Sequence, residues 1–150
     1  MPIKRNEFLQ AISREHHQGL LLSWKIKTGF KKEVNPLRMK RYTDWYYTTH
    51  LLPHFEVEER YIFPILGNEH ELVLQALAEH ERLVVLFESE IASADNLHSI
   101  QKELEAHIRF EERVLFNEIQ EVATQAQLEH IRIHHTEEKF VDNLEDAFWL

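Results

Sequence analysis

One ten-residue motif occurs twice in the chain, and it limits what the rest can be. The first copy reads His54-Phe55-Glu56-Val57-Glu58-Glu59-Arg60-Tyr61-Ile62-Phe63, and the second His107-Ile108-Arg109-Phe110-Glu111-Glu112-Arg113-Val114-Leu115-Phe116. His, Glu, Glu, Arg and Phe fall in register, with apolar residues at most other matching positions. On a helix, residues four apart stack on one face with Cβ atoms about 5–6 Å apart. Two such helices facing inward across a bundle would present two imidazoles and two carboxylates to one point. That is the chemistry of a metal site, and the chain must fold to assemble it.

The remaining segments read as helices of the same design. A first helix is expected from about Glu7 to Thr28, with Leu9, Ile12, His16, Leu20, Ser23 and Lys27 on one stripe and Gly29 as its stop. A second opens at Asn35-Pro36, an N-cap followed by proline at the first helical position, and runs to about Phe63. Pro53 lies inside it, removes a hydrogen bond to Thr49 and should bend the helix beside His54. A third follows Asn68-Glu69-His70-Glu71, which resembles a capping box, and continues to about Ala92 with Leu74, Leu77, His80 and Val84 inward. A fourth starts near Asp95 or Asn96 and carries Ile100, Leu104, His107, Glu111 and Leu115. A fifth, about residues 125–147, follows the box Thr124-x-x-Gln127 and carries Leu128, Ile131, His135 and Val141. The pattern has no strand periodicity. The expected fold is all-α: an up-down-up-down four-helix bundle over about residues 7–119 with an additional C-terminal helix, in a single domain.

The repeat also extends beyond the motif. Glu15-His16 in the first helix is echoed by Glu79-His80 in the third. The chain is therefore two helical hairpins, each with a lone inward His followed by His-x-x-x-Glu. At about 1.5 Å per residue, His16 and His54 lie at depths that differ by roughly 7 Å, which the connection between them must absorb.

Six groups then converge: His16, His54, Glu58, His80, His107 and Glu111. A single His-x-x-x-Glu is ordinarily a surface pair worth a few tenths of a kcal/mol. Two copies on apolar stripes are different, because two buried carboxylates cost several kcal/mol without a counter-charge. Imidazoles with carboxylates suit iron, manganese or zinc. Among the other histidines, His17 sits at the stripe's edge as a substitute for His16. His50, one turn below His54, is a candidate extra ligand or a donor behind one. His134 and His135 read as surface residues, as do His70, His98 and His130. Glu59 and Glu112 are rotated off the inward face and expected to pair with Arg60 or Arg113, and Trp24, Trp45, Tyr46, Phe63 and Phe116 read as core aromatics.

Composition narrows the class. The chain has no Cys, which excludes disulfides and thiolate metal sites. A net charge of −9 argues against nucleic acid or an anionic membrane as partner. No apolar run approaches the ~20 residues of a membrane span. The start, Met1-Pro2-Ile3-Lys4-Arg5-Asn6, lacks the apolar core of a signal peptide, so a cytoplasmic location is expected.

These residues resemble the hemerythrin-like, or HHE cation-binding, domain family. The resemblance covers roughly residues 7–119 and rests on His54-x-x-x-Glu58-Glu59 with Phe63-Pro64, on Glu79-His80, and on His107-x-x-x-Glu111-Glu112. It implies a non-haem di-iron centre inside a four-helix bundle. Glu58 and Glu111 would be bridging carboxylates, and His16, His54, His80 and His107 terminal ligands. The oxygen carriers of that family have two histidines four apart on the third helix, where this chain has Ala76 and Val84 flanking His80. They also have His-x-x-x-x-Asp on the fourth, where this chain has the shorter His-x-x-x-Glu. Relatives with the leaner set are associated with iron or oxygen sensing, nitric oxide handling and iron–sulfur repair.

The function expected is thus a di-iron protein with two iron ions, manganese or zinc being substitutes. It would bind dioxygen, nitric oxide or a related small ligand as sensor, scavenger or store. The alternatives are a di-iron redox enzyme acting on peroxide or nitric oxide, and an interaction module with a structural zinc.

Overall fold

The computed structural model describes residues 4–135 and 139–150. Among them every regular element is helical, and five helices pack together. Helix α1 spans Glu7–Lys31, capped by the Asn6 side chain accepting from the Phe8 N–H. The second rod begins with α2, Pro36–Tyr46, on the Asn35 cap. It continues without a break through a π-helical turn, Tyr47–Leu51, then α3, Leu52–Val57, a second π turn, Glu58–Ile62, and a 3₁₀ turn, Phe63–Ile65. Helix α4 spans Glu71–Glu88. The fourth rod runs from α5, Ala94–Phe110, through a π turn, Glu111–Leu115, into α6, Phe116–Val122. Helix α7, Gln125–His134, opens on the full Thr124/Gln127 capping box. No helix is long and apolar enough to cross a membrane among the described residues.

Several boundaries differ from the sequence expectation, each for a physical reason. Gly29 does not stop α1. It lies inside the helix, where an added Cβ would sit 2.4 Å from the Met39 Sδ and 2.9 Å from the Phe148 ring. The helix ends instead at Lys31, and Glu33 just beyond it, with a φ of 56°, turns the chain so that the Val34 N–H reaches back to the Gly29 carbonyl. Ending at Lys31 rather than Thr28 lengthens α1 by three residues, about 4.5 Å at helical rise. Most of the depth offset between His16 and His54 disappears.

Proline at 53 has the expected neighbourhood but a specific outcome. The turn before it, Tyr47–Leu51, is π-helical, with the Leu52 N–H bonded to the Tyr47 carbonyl. In α4 the cap is the His70 side chain rather than the Asn68 box, and the helix ends at Glu88 rather than near Ala92. Its buried stripe is Val73, Ala76, His80, Leu83 and Phe87, so Leu74 points outward at 52% exposure.

The fifth helix was expected to reach about Ala147, and α7 ends at His134. Residues 136–138 of that expectation lie outside the described residues, and 139–150 are not helical. The reason is what the tail buries. Phe148 and Trp149 are buried at 2% and 8% exposure, and Asp142 accepts from the Lys25 ammonium at 2.6 Å and the Tyr42 hydroxyl at 2.5 Å. Lys25 itself is buried, stacked 4.1 Å above the Trp149 ring. A tail kept helical would hold these groups to a 1.5 Å rise; released, they reach α1 and α2. Val141, expected inward, is exposed.

The apolar core is split in two. One cluster gathers around Leu22, Tyr46, Phe55, Phe87 and Leu104, the other around Ile12, Phe63, Val73, Phe116 and Ile131. Between them lies a layer of buried polar side chains.

Candidate metal centre

Helix α1 carries His16 into this layer on its buried stripe, and α4 carries His80. His54 comes from α3 and His107 from the end of α5. Glu58 and Glu111 are each the first residue of a π turn, closed by the Phe63 N–H on the Glu58 carbonyl and the Phe116 N–H on the Glu111 carbonyl. A π turn closes its hydrogen bond over five residues and frequently occurs at functional sites. Its extra residue lets two consecutive side chains face inward just below each carboxylate, Ile62 with Phe63 and Leu115 with Phe116, all at 0% exposure.

The sequence-expected set therefore comes together. His16, His54, Glu58 and Glu111 form one group of buried donors, and Glu58, His80, His107 and Glu111 form a second, each with its ligand atoms within 4.8 Å of one another. The two groups share both glutamates. His16 Nε2 lies 3.0 Å from Glu111 Oε1 and 3.5 Å from Glu58 Oε2, and His80 Nε2 lies 3.3 Å from Glu58 Oε1 and 3.8 Å from Glu111 Oε2. His54 and His107 each face the glutamate four residues on, at 3.3 and 3.4 Å. These approaches lie off the hydrogen-bond direction, so the four Nε2 atoms and all four carboxylate oxygens are buried without a hydrogen-bond partner among the described residues.

Sequence reasoning missed what stands behind the imidazoles. Each Nδ1 faces a further glutamate: His54 to Glu15 at 2.7 Å, His107 to Glu79 at 2.6 Å, His80 to Glu59 at 2.7 Å and His16 to Glu112 at 3.0 Å. Glu59 and Glu112 were expected to pair with Arg60 or Arg113. They flank the inward face, and that flank is where the neighbouring helix presents its histidine. Glu112 is also held by Arg5 and Ser13 at 3.1 Å each, and Glu79 by Gln75 at 3.0 Å. The signal was present in the doublets Glu15-His16, Glu79-His80, Glu58-Glu59 and Glu111-Glu112. A carboxylate accepting from Nδ1–H fixes the ring's tautomer and leaves the Nε2 lone pair pointing inward.

The electrostatics follow from six carboxylates around four imidazoles: Glu15, Glu58, Glu59, Glu79, Glu111 and Glu112 against His16, His54, His80 and His107. Burial alone pushes the His16 imidazole down, but Glu111, Glu112 and Glu58 hold it well above its ordinary value. The same contest brings His54 up to about 9 and His80 up to about 11, and raises His107. Burial and the like charge of Glu111 work against ionised Glu58, yet His54 and His16 bring it to about 2. Glu111 is likewise held well below the carboxylate range, against burial, by His107, His16 and His80. The layer is short of positive charge, and its buried histidine and glutamate groups could hold a metal ion.

The other histidines divide. His17 is exposed, and His50, whose ring lies against Trp45, Tyr46 and Phe140, belongs to neither donor group. His135, read from the sequence as a surface residue, has a side chain at 9% exposure and sets its Nε2 3.2 Å from Glu15. His134 and His130 are exposed and stack around Tyr61. Trp24, expected in the core, is 52% exposed. On the side of His16 and His54 the layer opens into a cavity of about 810 Å³ that also reaches His107 and Glu111. His80, by contrast, is covered by Phe55, stacked at 3.8 Å, and by Phe63.

No family model, curated protein or solved structure matches the chain.

Proposed function

We propose that this chain is a hemerythrin-like protein, an up-down-up-down four-helix bundle holding two iron ions between Glu58 and Glu111. His16 and His54 would hold one ion and His80 and His107 the other, with both glutamates shared. Such a pair, when bound, supplies an open coordination position for dioxygen, nitric oxide or a related small ligand, as a sensor, scavenger or store would use it. One observation carries this reading: eight buried donor atoms, on four imidazoles and two carboxylates, converge without a hydrogen-bond partner among the described residues. Orphaned buried donors of this kind need a partner, and nitrogen and oxygen without thiolate suit iron, with manganese and zinc next.

The chain's own residues do the rest. Glu15, Glu59, Glu79 and Glu112 accept from the Nδ1 positions and aim the Nε2 lone pairs inward. Phe55 and Phe63 shield the His80 side from water, while the cavity leaves the His16 and His54 side reachable. A small ligand would therefore arrive on that side. Metal analysis and the absorption spectrum of protein purified without chelators test the proposal. Two irons per chain with a near-ultraviolet band are expected. One metal per chain, or two with a colourless spectrum after iron supplementation, would refute it.

A further inference from the structure

The cavity beside the centre is far larger than a diatomic ligand requires. A water molecule takes about 30 Å³ of liquid volume, and pockets that bind organic molecules run from about 300 to 1,000 Å³. At about 810 Å³ this cavity belongs to the second kind. Its walls are ordered by polarity. The buried part joins an apolar wall of Leu51, Phe55, Leu104 and Ile108, all at 4% exposure or less, to the groups of the centre, His16, His54, His107 and Glu111. The outer part, formed by exposed His17, His134 and Lys139, is polar.

The polar groups are mismatched in one direction. The acids on the wall among the described residues are Glu15 and Glu111, and both are committed, Glu15 between His54 and His135 and Glu111 among the imidazoles of the centre. The Lys139 ammonium can only donate, and Tyr46 adds a buried hydroxyl with a donor proton. A ligand complementary to this lining accepts hydrogen bonds and carries negative charge at the mouth, with an apolar part inside.

We infer that the cavity is a binding site for an organic carboxylic acid with an apolar body, carboxylate toward Lys139 and the body toward Leu104 and Ile108. This deepens the reading of the metal centre by naming a second ligand beside it. It rests on that reading only for which side of the centre is open. The occupant is recognised by shape and charge and needs no bond to the metal.

The test is calorimetric titration of metal-loaded protein with octanoate and, separately, with acetate, and metal content is measured on the same samples. Octanoate should saturate one site per chain. Acetate should bind at least about tenfold more weakly, because each buried methylene contributes about 0.8 kcal/mol and 1.4 kcal/mol is tenfold. Lys139→Gln and Thr49→Trp, both at exposed positions lining the cavity, should each weaken octanoate severalfold with metal content unchanged. Ile108→Trp should abolish binding by filling the inner part; if it does not fold, the two exposed-site variants decide. Equal affinity for acetate would mean that the centre itself captures carboxylates, and would overturn the inference. So would the absence of saturable octanoate binding in protein carrying two metals, which leaves the metal reading standing. Octanoate binding in protein that takes up no metal would support the cavity and sink the metal reading instead.

Discussion

Glu59 Oε2 lies 2.7 Å from His80 Nδ1, a contact from one half of the repeat to the other. Its counterpart runs the opposite way, from Glu112 to His16 at 3.0 Å. Carboxylates behind metal-ligating histidines typically change affinity or activity 10- to 100-fold when removed. Glu59→Gln and Glu112→Gln should therefore each weaken metal binding by about tenfold or more, read by competition with a chromophoric chelator. Affinities within twofold of the parent would mean that these glutamates merely neutralise charge.

Glu58 and Glu111 belong to both donor groups, so each should matter to both metals. Glu58→Ala and Glu111→Ala should lose metal and, with it, the stability that binding confers. Glu56→Ala is the control, since Glu56 is exposed in the same motif. Two metals retained by both variants would show that neither carboxylate is a bridge.

Stability should respond to pH in opposite senses with and without metal. His54 and His80, raised to about 9 and about 11, favour the folded state of the metal-free protein fully below the free imidazole value of ~6.5. That contribution is lost as pH rises through about 9 and then about 11. Glu58, lowered to about 2 from 4.5, contributes above 4.5 and loses its contribution as pH falls through about 2. The stripped protein is thus favoured between about pH 4.5 and 6.5. Metal competes with the same protons, so its binding strengthens as pH rises. The gap in denaturation midpoint between loaded and stripped protein should widen from pH 6.5 to 9, and parallel curves would exclude ligation through these imidazoles.

The tail should act as a structural strap. Trp149→Ala removes the ring over the buried Lys25 ammonium and a large part of the tail's buried surface. A loss of about 3 kcal/mol is expected from truncating a buried aromatic of this size. Urea denaturation measures it; a change below about 1 kcal/mol would mean that the tail is held elsewhere.

What the sequence disclosed was local. His-x-x-x-Glu and the Glu-His doublets lie within one helical turn, so spacing alone places their side chains on a face, and all six inward groups meet as expected. The rest depended on neighbours. Periodicity sorts residues into inward and outward, and Glu59 and Glu112 are neither: they point along the flank, where only packing decides what they meet. In α4, helical spacing back from His80 fits Leu77 with Leu74 and Ala76 with Val73 alike, and packing buries the second pair while Leu74 faces out. Gly29 reads as a helix stop until Met39 and Phe148 are seen against it. Helical propensity carried the fifth helix past His134, because nothing local announces that Trp149 will seal Lys25.

The crossed contacts between the halves have an architectural consequence. Each half provides one inward glutamate, two imidazoles and two outer carboxylates, and one of those carboxylates serves a histidine of the other half. Glu15 and Glu79 serve their own half, while Glu59 and Glu112 are exchanged. This is the logic of a two-fold dimer whose subunits have been joined into a single chain, with the buried histidines and glutamates, flanked by the two apolar clusters, shared across its seam. Neither half is complete alone, and a chain cut at Gly67, in the connection before α4, should yield two pieces that recombine only when metal is supplied. Reassembly without metal, followed by size-exclusion chromatography, would show that the apolar clusters suffice to hold the seam closed.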